Sequence, residues 1–181
     1  IRLGIKHYRT SISMSRVLKM NGEVNLKAIE WYRNYFKELK KANIYVYATL
    51  YHWELPQFLS EIGGWKNRKT VDFYLKHVRA VVSSLDEYID EYFVFNESRH
   101  ASIRGYYEGL HAPGETDLKG ALLASHHMLL AQGLATREIL STDNLKENYL
   151  PFKSGISIVI VKSPIDNAAM YCWLVFFIHI I

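Results

Sequence analysis

The chain has 181 residues, which suits one domain, and its 49% hydrophobic and 22% charged residues exclude a disordered chain. The formal net charge is +4, but the basic residues are dispersed, so the composition predicts no nucleic-acid partner. The single cysteine, Cys172, cannot form an internal disulfide, and nothing predicts a metal cluster or another cofactor. A reducing, cytoplasmic compartment is the expectation.

Both ends of the chain look unusual. It begins without Met or a signal peptide, inside what reads as the end of a helix, which indicates a fragment. Residues 168–181 form an uncharged, strongly apolar run of 14 residues. Because roughly 20 residues are needed to span a bilayer, this tail predicts a buried or misordered segment rather than a membrane anchor.

Strand and helix patterns alternate along the chain. The predicted strands are residues 5–13, 44–50, 92–96 and 156–161, and the predicted helices are residues 26–42, 71–87 and 119–140. Repeated strand–helix units predict a parallel sheet, either half of a (β/α)₈ barrel or a doubly wound sheet. The absence of a G-x-G-x-x-G motif or a P-loop disfavours nucleotide binding. A long loop, residues 98–117, follows the third strand, and loops of this length are more often functional than idle.

Arg9 lies in the middle of the first predicted strand. A buried arginine is very costly without a carboxylate partner, so this position predicts an acid nearby within the fold. The alternative is an arginine on an edge strand that faces water.

Polar and aromatic side chains follow the second predicted strand. His52 and Trp53 place a hydrogen-bond donor beside a flat apolar surface, a pairing that sugars require because they carry both hydroxyls and an apolar face. The alternative is a core histidine whose ring is satisfied by the protein.

The third predicted strand ends in Asn96 and Glu97. In a β/α barrel the carboxyl ends of the strands build the active site. A carboxyl group at the rim of an apolar strand is a candidate for a raised pKa and therefore for general acid catalysis. The alternative is a solvated glutamate that follows a strand.

Several segments in the right order resemble glycoside hydrolase family one, the β-glucosidase and 6-phospho-β-glucosidase family. Residues 8–17 are similar to YRFSISWSRI, and residues 49–56 are similar to TLxHWDLP. The matching segments that follow are GGWxN at 63–67, FNE at 95–97, GYxxGxHAPG at 105–114, HHLLLA at 126–131 and the fifth-strand pattern at 155–164. The resemblance implies that residues 1–164 are a truncated (β/α)₈ barrel containing about strands 2 to 5, with an apolar tail at 165–181.

The resemblance also implies roles for individual residues. Glu97 would be the general acid/base of a retaining β-glycosidase, and Asn96 would hydrogen-bond the 2-hydroxyl of the sugar. His52 and Trp53 would bind the sugar, and Arg9 would pair with the nucleophilic carboxylate. The expected partner is therefore a carbohydrate, a β-glucoside or a related compound.

Some family features are absent or changed. The nucleophile motif of the seventh strand has no match in the sequence. Residues 142–144 resemble it only superficially, and they are not expected to supply the nucleophile. The positions that depart from the family pattern within the matched segments are Met14, Tyr92, Val94 and Ser98. A chain of 181 residues is too short to close a barrel of about 250 residues, so open sheet edges predict association into a homo-oligomer.

Three interpretations of function remain open from the sequence. The first is a β-glycosidase lineage in which Glu97 is the acid/base, although this chain alone is expected to be inactive without the second carboxylate. The second is a non-catalytic carbohydrate-binding or assembly remnant. The third is a decayed fragment without function. The sugar, the linkage and the preference for phosphorylated or plain glycosides are not encoded in these segments.

Overall fold

The computed structural model describes residues 4–141 and 160–161. Strands and helices alternate over this part of the chain. The strands are β1 (His7–Ser11), β2 (Tyr45–Thr49), β3 (Glu91–Phe93) and β4 (Ile160–Val161). The α-helices are α1 (Met14–Val17), α2 (Leu26–Lys41), α3 (Gln57–Glu61), α4 (Lys69–Leu85) and α5 (Leu118–Leu140).

The sheet has the order β1-β2-β3-β4, and its first three strands are parallel. Arg9 is in register with Tyr47, which is in register with Glu91. The prediction of strand–helix units joined into a parallel sheet is confirmed for β1 to β3. The expectation of a parallel fourth strand is wrong for the two described residues of β4, which pair antiparallel to β3. An antiparallel partner also satisfies the exposed hydrogen-bonding groups of β3.

The core lies between the sheet and the helices. Val46, Ala48 and Tyr92 point from the strands into this layer and are fully buried. Helices α2 and α4 have apolar residues on one side, at helical spacing, and bury that side on the strands. Helix α5 packs against α4 with a run of small residues, and alanines such as Ala124 and Ala131 allow a close approach of the two backbones.

The opposite face of the sheet is much less covered by the described residues. Along β1 the burial pattern is exposed or half-buried at every position, and Arg9 itself is exposed. Tyr47 and Phe93 on this face are half-buried and contact each other, with ring centroids 6.0 Å apart. Of the two placements that the sequence leaves open for Arg9, the described structure shows the exposed arginine on an outer strand, β1.

The predicted bounds of the three helices and of the first three strands agree with the observed ones to within three residues, whereas most of the predicted fourth strand lies outside the described residues. The long loop does not stay irregular. Residues 98–117 contain a π-helical turn, His100–Arg104, directly after the third strand end. This turn brings side chains of the loop back over the strand ends. No helix in residues 4–141 is long and apolar enough to cross a membrane, and the apolar tail lies outside the described residues.

Candidate active site

The carboxyl ends of β1, β2 and β3 lie at one edge of the sheet because the strands are parallel. Backbone pairing continues past the named strands, since the Leu50 amide donates to the Phe93 carbonyl at 2.8 Å. The Asn96 amide donates to the Tyr51 carbonyl, also at 2.8 Å. This extended pairing fixes the segments that carry His52, Trp53, Asn96 and Glu97 beside each other, as the sequence predicts.

Arg9 links the three strands at this edge. Its Nη2 donates to Asn96 Oδ1 at 2.7 Å, and its Nε donates to Thr49 Oγ1 at 3.0 Å. The guanidinium also lies 4.4 Å from the centroid of the Phe93 ring, within the range of a cation–π contact. Arg9 therefore has neutral hydrogen-bond partners and an aromatic face where the sequence predicts a directly paired acid.

The charge of Glu97, the predicted general acid/base, affects the pKa of Arg9. Partial burial lowers the pKa of Arg9 from its usual value, while the negative charge of Glu97 raises it. Because an arginine with so high a starting pKa stays protonated in proteins, the site contains a permanent positive charge. This charge is available to an anionic group that approaches the open face of the sheet.

Asn96 is almost fully buried and connects Arg9 with Trp53. Arg9 can only donate hydrogen bonds, so the atom that Asn96 presents to it must be the amide oxygen. The Asn96 backbone carbonyl accepts a hydrogen bond from Trp53 Nε1 at 2.9 Å. The amide nitrogen of Asn96 is then the part of the side chain that remains as a donor for another group.

Trp53 is surrounded by histidine rings. His52 and His111 meet it edge to face, with centroids 5.6 Å and 5.2 Å away, and His100 stacks on it at 6.1 Å and 20°. The backbone φ of Trp53 is 78°, a left-handed conformation that non-glycine residues rarely adopt. Conformations of this kind cluster at functional sites, where the surroundings hold them in place.

His52 is exposed at the rim, close to Arg9 and Glu97. Partial burial is the main factor that lowers the pKa of His52, and the positive charge of Arg9 lowers it further, against the opposing effect of Glu97. A lowered pKa favours the neutral ring at neutral pH. In that form the ring offers one donor and one acceptor, which suits hydrogen bonds to hydroxyl groups.

Glu97 also has a left-handed backbone, with φ 44°. Its side chain is 48% exposed, and Oε2 lies 3.3 Å from Nδ1 of His100. The carboxyl group therefore lies at the rim of the strand, half exposed and beside a polar ring. Its accessibility leaves the carboxyl free to meet a ligand at the strand ends.

Glu54 is a feature that the sequence interpretation missed. Burial raises the pKa of Glu54, and the nearby backbone and the Ser13 side chain oppose that effect only in part. One carboxylate oxygen, Oε1, is buried without a hydrogen-bond partner among the described residues. The sequence feature that could have identified Glu54 is its position directly after Trp53, within the segment similar to HWDLP.

Glu54 lines a cavity of about 430 Å³ beneath the site. Trp53, His111, Trp65 and Tyr106 also line this cavity. The Tyr106 hydroxyl accepts a hydrogen bond from the Trp65 amide at 2.9 Å, which ties two of these lining residues together. Among residues 4–141, no group of three His, Cys, Asp or Glu side chains is arranged to hold a metal ion.

Comparison with known proteins gives a consistent result. The family model described as "Glycosyl hydrolase family 1" matches residues 1–164. Among curated relatives, Beta-glucosidase A of Acetivibrio thermocellus is 38% identical over 136 residues, covering 75% of this chain and 30% of that protein. A Beta-glucosidase of Agrobacterium sp. is 36% identical over 132 residues, covering 72% of this chain and 29% of that protein.

Solved structures agree with these relatives. The GH1 β-glucosidase of Exiguobacterium antarcticum B7 has a TM-score of 0.76 and 37% identity, covering 78% of this chain and 32% of that one. The β-glucosidase of Thermotoga maritima in complex with deoxynojirimycin has a TM-score of 0.75 and 34% identity, with coverage of 78% and 32%. The chain thus spans about a third of the length of the proteins that it matches.

Proposed function

The chain belongs to glycosyl hydrolase family 1, and we propose that the strand ends of β1, β2 and β3 form the acid/base side of a retaining β-glycosidase site. The substrate class is a β-glucoside, cleaved at the O-glycosyl bond. The observation that carries the proposal is the connected set at one sheet edge, in which Arg9 and Trp53 both bind Asn96 and Glu97 follows directly. We take the parallel strands β1 to β3 and their helices to be part of a (β/α)₈ barrel, whose strands are all parallel. The two described residues of β4 are antiparallel and do not match the fourth strand that the sequence predicts for this barrel segment.

Glu97 is the group that exchanges the proton. Its carboxyl group protonates the glycosidic oxygen as the bond to the aglycone breaks, and its carboxylate later removes a proton from the attacking water. The half-exposed position of Glu97 supports this role because the carboxyl must reach an oxygen outside the protein surface.

Asn96, His52 and Trp53 bind the sugar. With the Asn96 oxygen bonded to Arg9, the amide nitrogen is left to donate to the 2-hydroxyl, a contact that strengthens in an oxocarbenium-like transition state. The neutral ring of His52 both donates to and accepts from sugar hydroxyls, and Trp53 supplies the flat apolar wall.

Arg9 has a role toward the second carboxylate. A retaining mechanism places a nucleophilic carboxylate about 5 Å from the acid/base, on the other side of the sugar. We expect Arg9 to stabilise that carboxylate from the open face of the sheet. Glu54 does not suit the task, since burial raises its pKa and thereby favours the neutral form over the nucleophilic anion.

The first test is binding of deoxynojirimycin, a glucose-shaped iminosugar whose ring nitrogen is cationic when protonated. Calorimetry should detect binding to the purified chain, and Glu97→Gln should weaken it about tenfold, because hydrogen bonds to charged groups contribute roughly 1.5–3 kcal/mol. The matched control is Glu108→Gln, an exposed glutamate of the following loop, which should bind as the unmodified chain does. Equal affinities for the two variants would overturn the placement of Glu97.

The second test concerns turnover. An aryl β-glucoside has a good leaving group, so its cleavage needs the acid least and the nucleophile most. We expect the purified chain to release no more nitrophenol than Glu97→Gln does, because the sequence contains no match to the nucleophile motif of the family. Release above that level would contradict this expectation and would indicate that another carboxylate completes the site. Binding without release would agree with a carbohydrate-binding remnant of the enzyme.

The remaining expectations stay predictions. They are homo-oligomer formation through the open sheet edges, a separate apolar tail at 165–181, and a cytoplasmic location. Each is independent of the site assignment above.

A further inference from the structure

We propose that His100 is a positioning residue for Glu97, holding one oxygen of its carboxylate so that the other faces the substrate. The proposal rests on the function proposed above for Glu97 as the acid/base. His100 begins the π-helical turn that follows the third strand end, three residues after Glu97. Glu97 itself lies outside the turn, but its side chain contacts the His100 ring directly.

His100 contacts both the side chain and the backbone of Glu97. Its Nδ1 lies 3.3 Å from Glu97 Oε2, and its amide donates to the Glu97 carbonyl at 2.9 Å. The Ala101 amide donates to the same carbonyl at 3.2 Å. These contacts hold Glu97 in its left-handed conformation, which an unrestrained glutamate would rarely adopt.

The ring of His100 is itself held by Trp53. The two rings are stacked at 20° with centroids 6.1 Å apart, and Trp53 is fixed by its hydrogen bond to the Asn96 carbonyl. The direction of Nδ1 is therefore set by a chain of contacts that begins at the residue preceding Glu97. A half-exposed glutamate without such a partner would sample several rotamers in water.

The chemistry at Nδ1 follows from its partner. A carboxylate oxygen only accepts hydrogen bonds, so a ring nitrogen that faces it must bear a proton. With Oε2 engaged by His100, Oε1 is the oxygen left to exchange a proton with the glycosidic oxygen. A general acid must lie within hydrogen-bond reach of the atom that it protonates, and a fixed carboxylate meets that requirement more often than a mobile one.

Nuclear magnetic resonance tests the contact without any need for turnover. In the chain labelled with ¹⁵N-histidine, two-bond ¹H–¹⁵N correlations at pH 8 report which ring nitrogen bears the proton, and His100→Asn assigns the signal. We expect the proton of His100 on Nδ1 in the unmodified chain and in Glu108→Ala, and on Nε2 in Glu97→Ala. A bare Nδ1 in the unmodified chain, or an unchanged signal in Glu97→Ala, would overturn the proposal.

A second readout measures the consequence for Glu97. N-bromoacetyl β-glucosylamine places its amide nitrogen where the glycosidic oxygen would lie and an electrophilic CH₂ carbon just beyond it. A carboxylate oxygen beside that position attacks the CH₂ carbon and forms an ester as bromide leaves.

Variants of His100 separate its nitrogen from its ring. His100→Phe keeps the stacked ring and loses the nitrogen, and we expect it to slow ester formation at Glu97 about tenfold. His100→Asn keeps a side-chain N–H at similar reach and should retain most of the rate. Equal rates for the unmodified chain and both variants would refute positioning by Nδ1, as would a slow His100→Asn beside a fast His100→Phe. If the unmodified chain forms no ester at all, the proposed function has failed, and the resonance experiment still decides whether the contact exists.

Discussion

Protonation of His77 should destabilise the fold at mildly acidic pH. The ring is completely buried on α4, beside Tyr74, and its Nε2 lies 3.0 Å from the Leu50 carbonyl, just before the segment that carries His52. Burial lowers the pKa of His77 to about 4, and the hydrogen bond to the Leu50 carbonyl opposes that effect. The folded chain therefore holds this ring neutral.

The sign and size of the effect follow from linkage between protonation and folding. Between pH 6.5 and 4 the unfolded chain, with an ordinary histidine pKa of about 6.5, binds more protons than the folded chain. The contribution of His77 is therefore fully present above pH 6.5 and is lost as the pH falls toward 4. The complete loss is about 3 kcal/mol, and about 2 kcal/mol of it should be gone by pH 5.0.

The assay is urea unfolding at pH 7.5 and pH 5.0 for the chain and for His77→Gln. The glutamine removes the titrating ring, so the variant should be less stable at pH 7.5 and should lose about 2 kcal/mol less on acidification. His126→Gln is the matched control, since it removes an exposed histidine on α5, and it should keep the dependence of the unmodified chain. If His77→Gln loses as much stability as the unmodified chain between these pH values, the reasoning is wrong.

Two further pairs of variants test the packing around the site by urea unfolding. Tyr106→Phe removes the acceptor of the buried Trp65 amide and should lower the free energy of unfolding by about 1–3 kcal/mol. The control Tyr107→Phe changes an exposed residue and should alter that free energy by less than about 0.5 kcal/mol. Equal urea midpoints for the two variants would contradict the hydrogen bond. Gly105→Ala would place a Cβ 2.6 Å from a backbone carbonyl of the facing loop and should destabilise the fold, whereas Gly133→Ala, in open space on α5, should stabilise it by roughly 0.5–1 kcal/mol. A stable Gly105→Ala variant would show that the loop does not approach so closely.

The sequence predicts the helices, the strands and the sheet edge at which the site residues meet, because all of them depend on simple periodic patterns of apolar residues. Apolar spacing located α2, α4 and α5 within a few residues. Parallel strands then placed His52 and Asn96 at one edge without further information. His127 on α5 is buried, and its Nδ1 lies 2.8 Å from the Trp65 carbonyl.

What the sequence does not predict depends on contacts between distant residues or on unusual backbone. The surroundings of Arg9 come from Thr49 and Asn96, which lie 40 and 87 positions away in the chain. Strand periodicity gives no information on whether the far face of a sheet is covered, so the sequence left open whether Arg9 is buried or faces water. The antiparallel direction of β4 likewise depends on the path of the chain rather than on its own two residues.

The contact between His100 and Glu97 could not be predicted from the sequence for a different reason. The loop after the third strand has no apolar period that indicates a helix, so its π-helical turn was not predicted. The contact arises because this turn begins just after the left-handed Glu97, and neither feature has a signal in the sequence. The left-handed conformations of Trp53 and Glu97 also have no signature in residue type, because neither residue favours them.

The central claim is that the carboxylate of Glu97 lies where a β-glucoside places its glycosidic oxygen. Peptide mapping by mass spectrometry after treatment with N-bromoacetyl β-glucosylamine tests it most directly. We predict one ester on Glu97, slowed by excess glucose and absent from Glu97→Gln, while Glu108→Gln is labelled as the unmodified chain is. Labelling spread over exposed carboxylates such as Glu108, with no protection by glucose, would contradict the account.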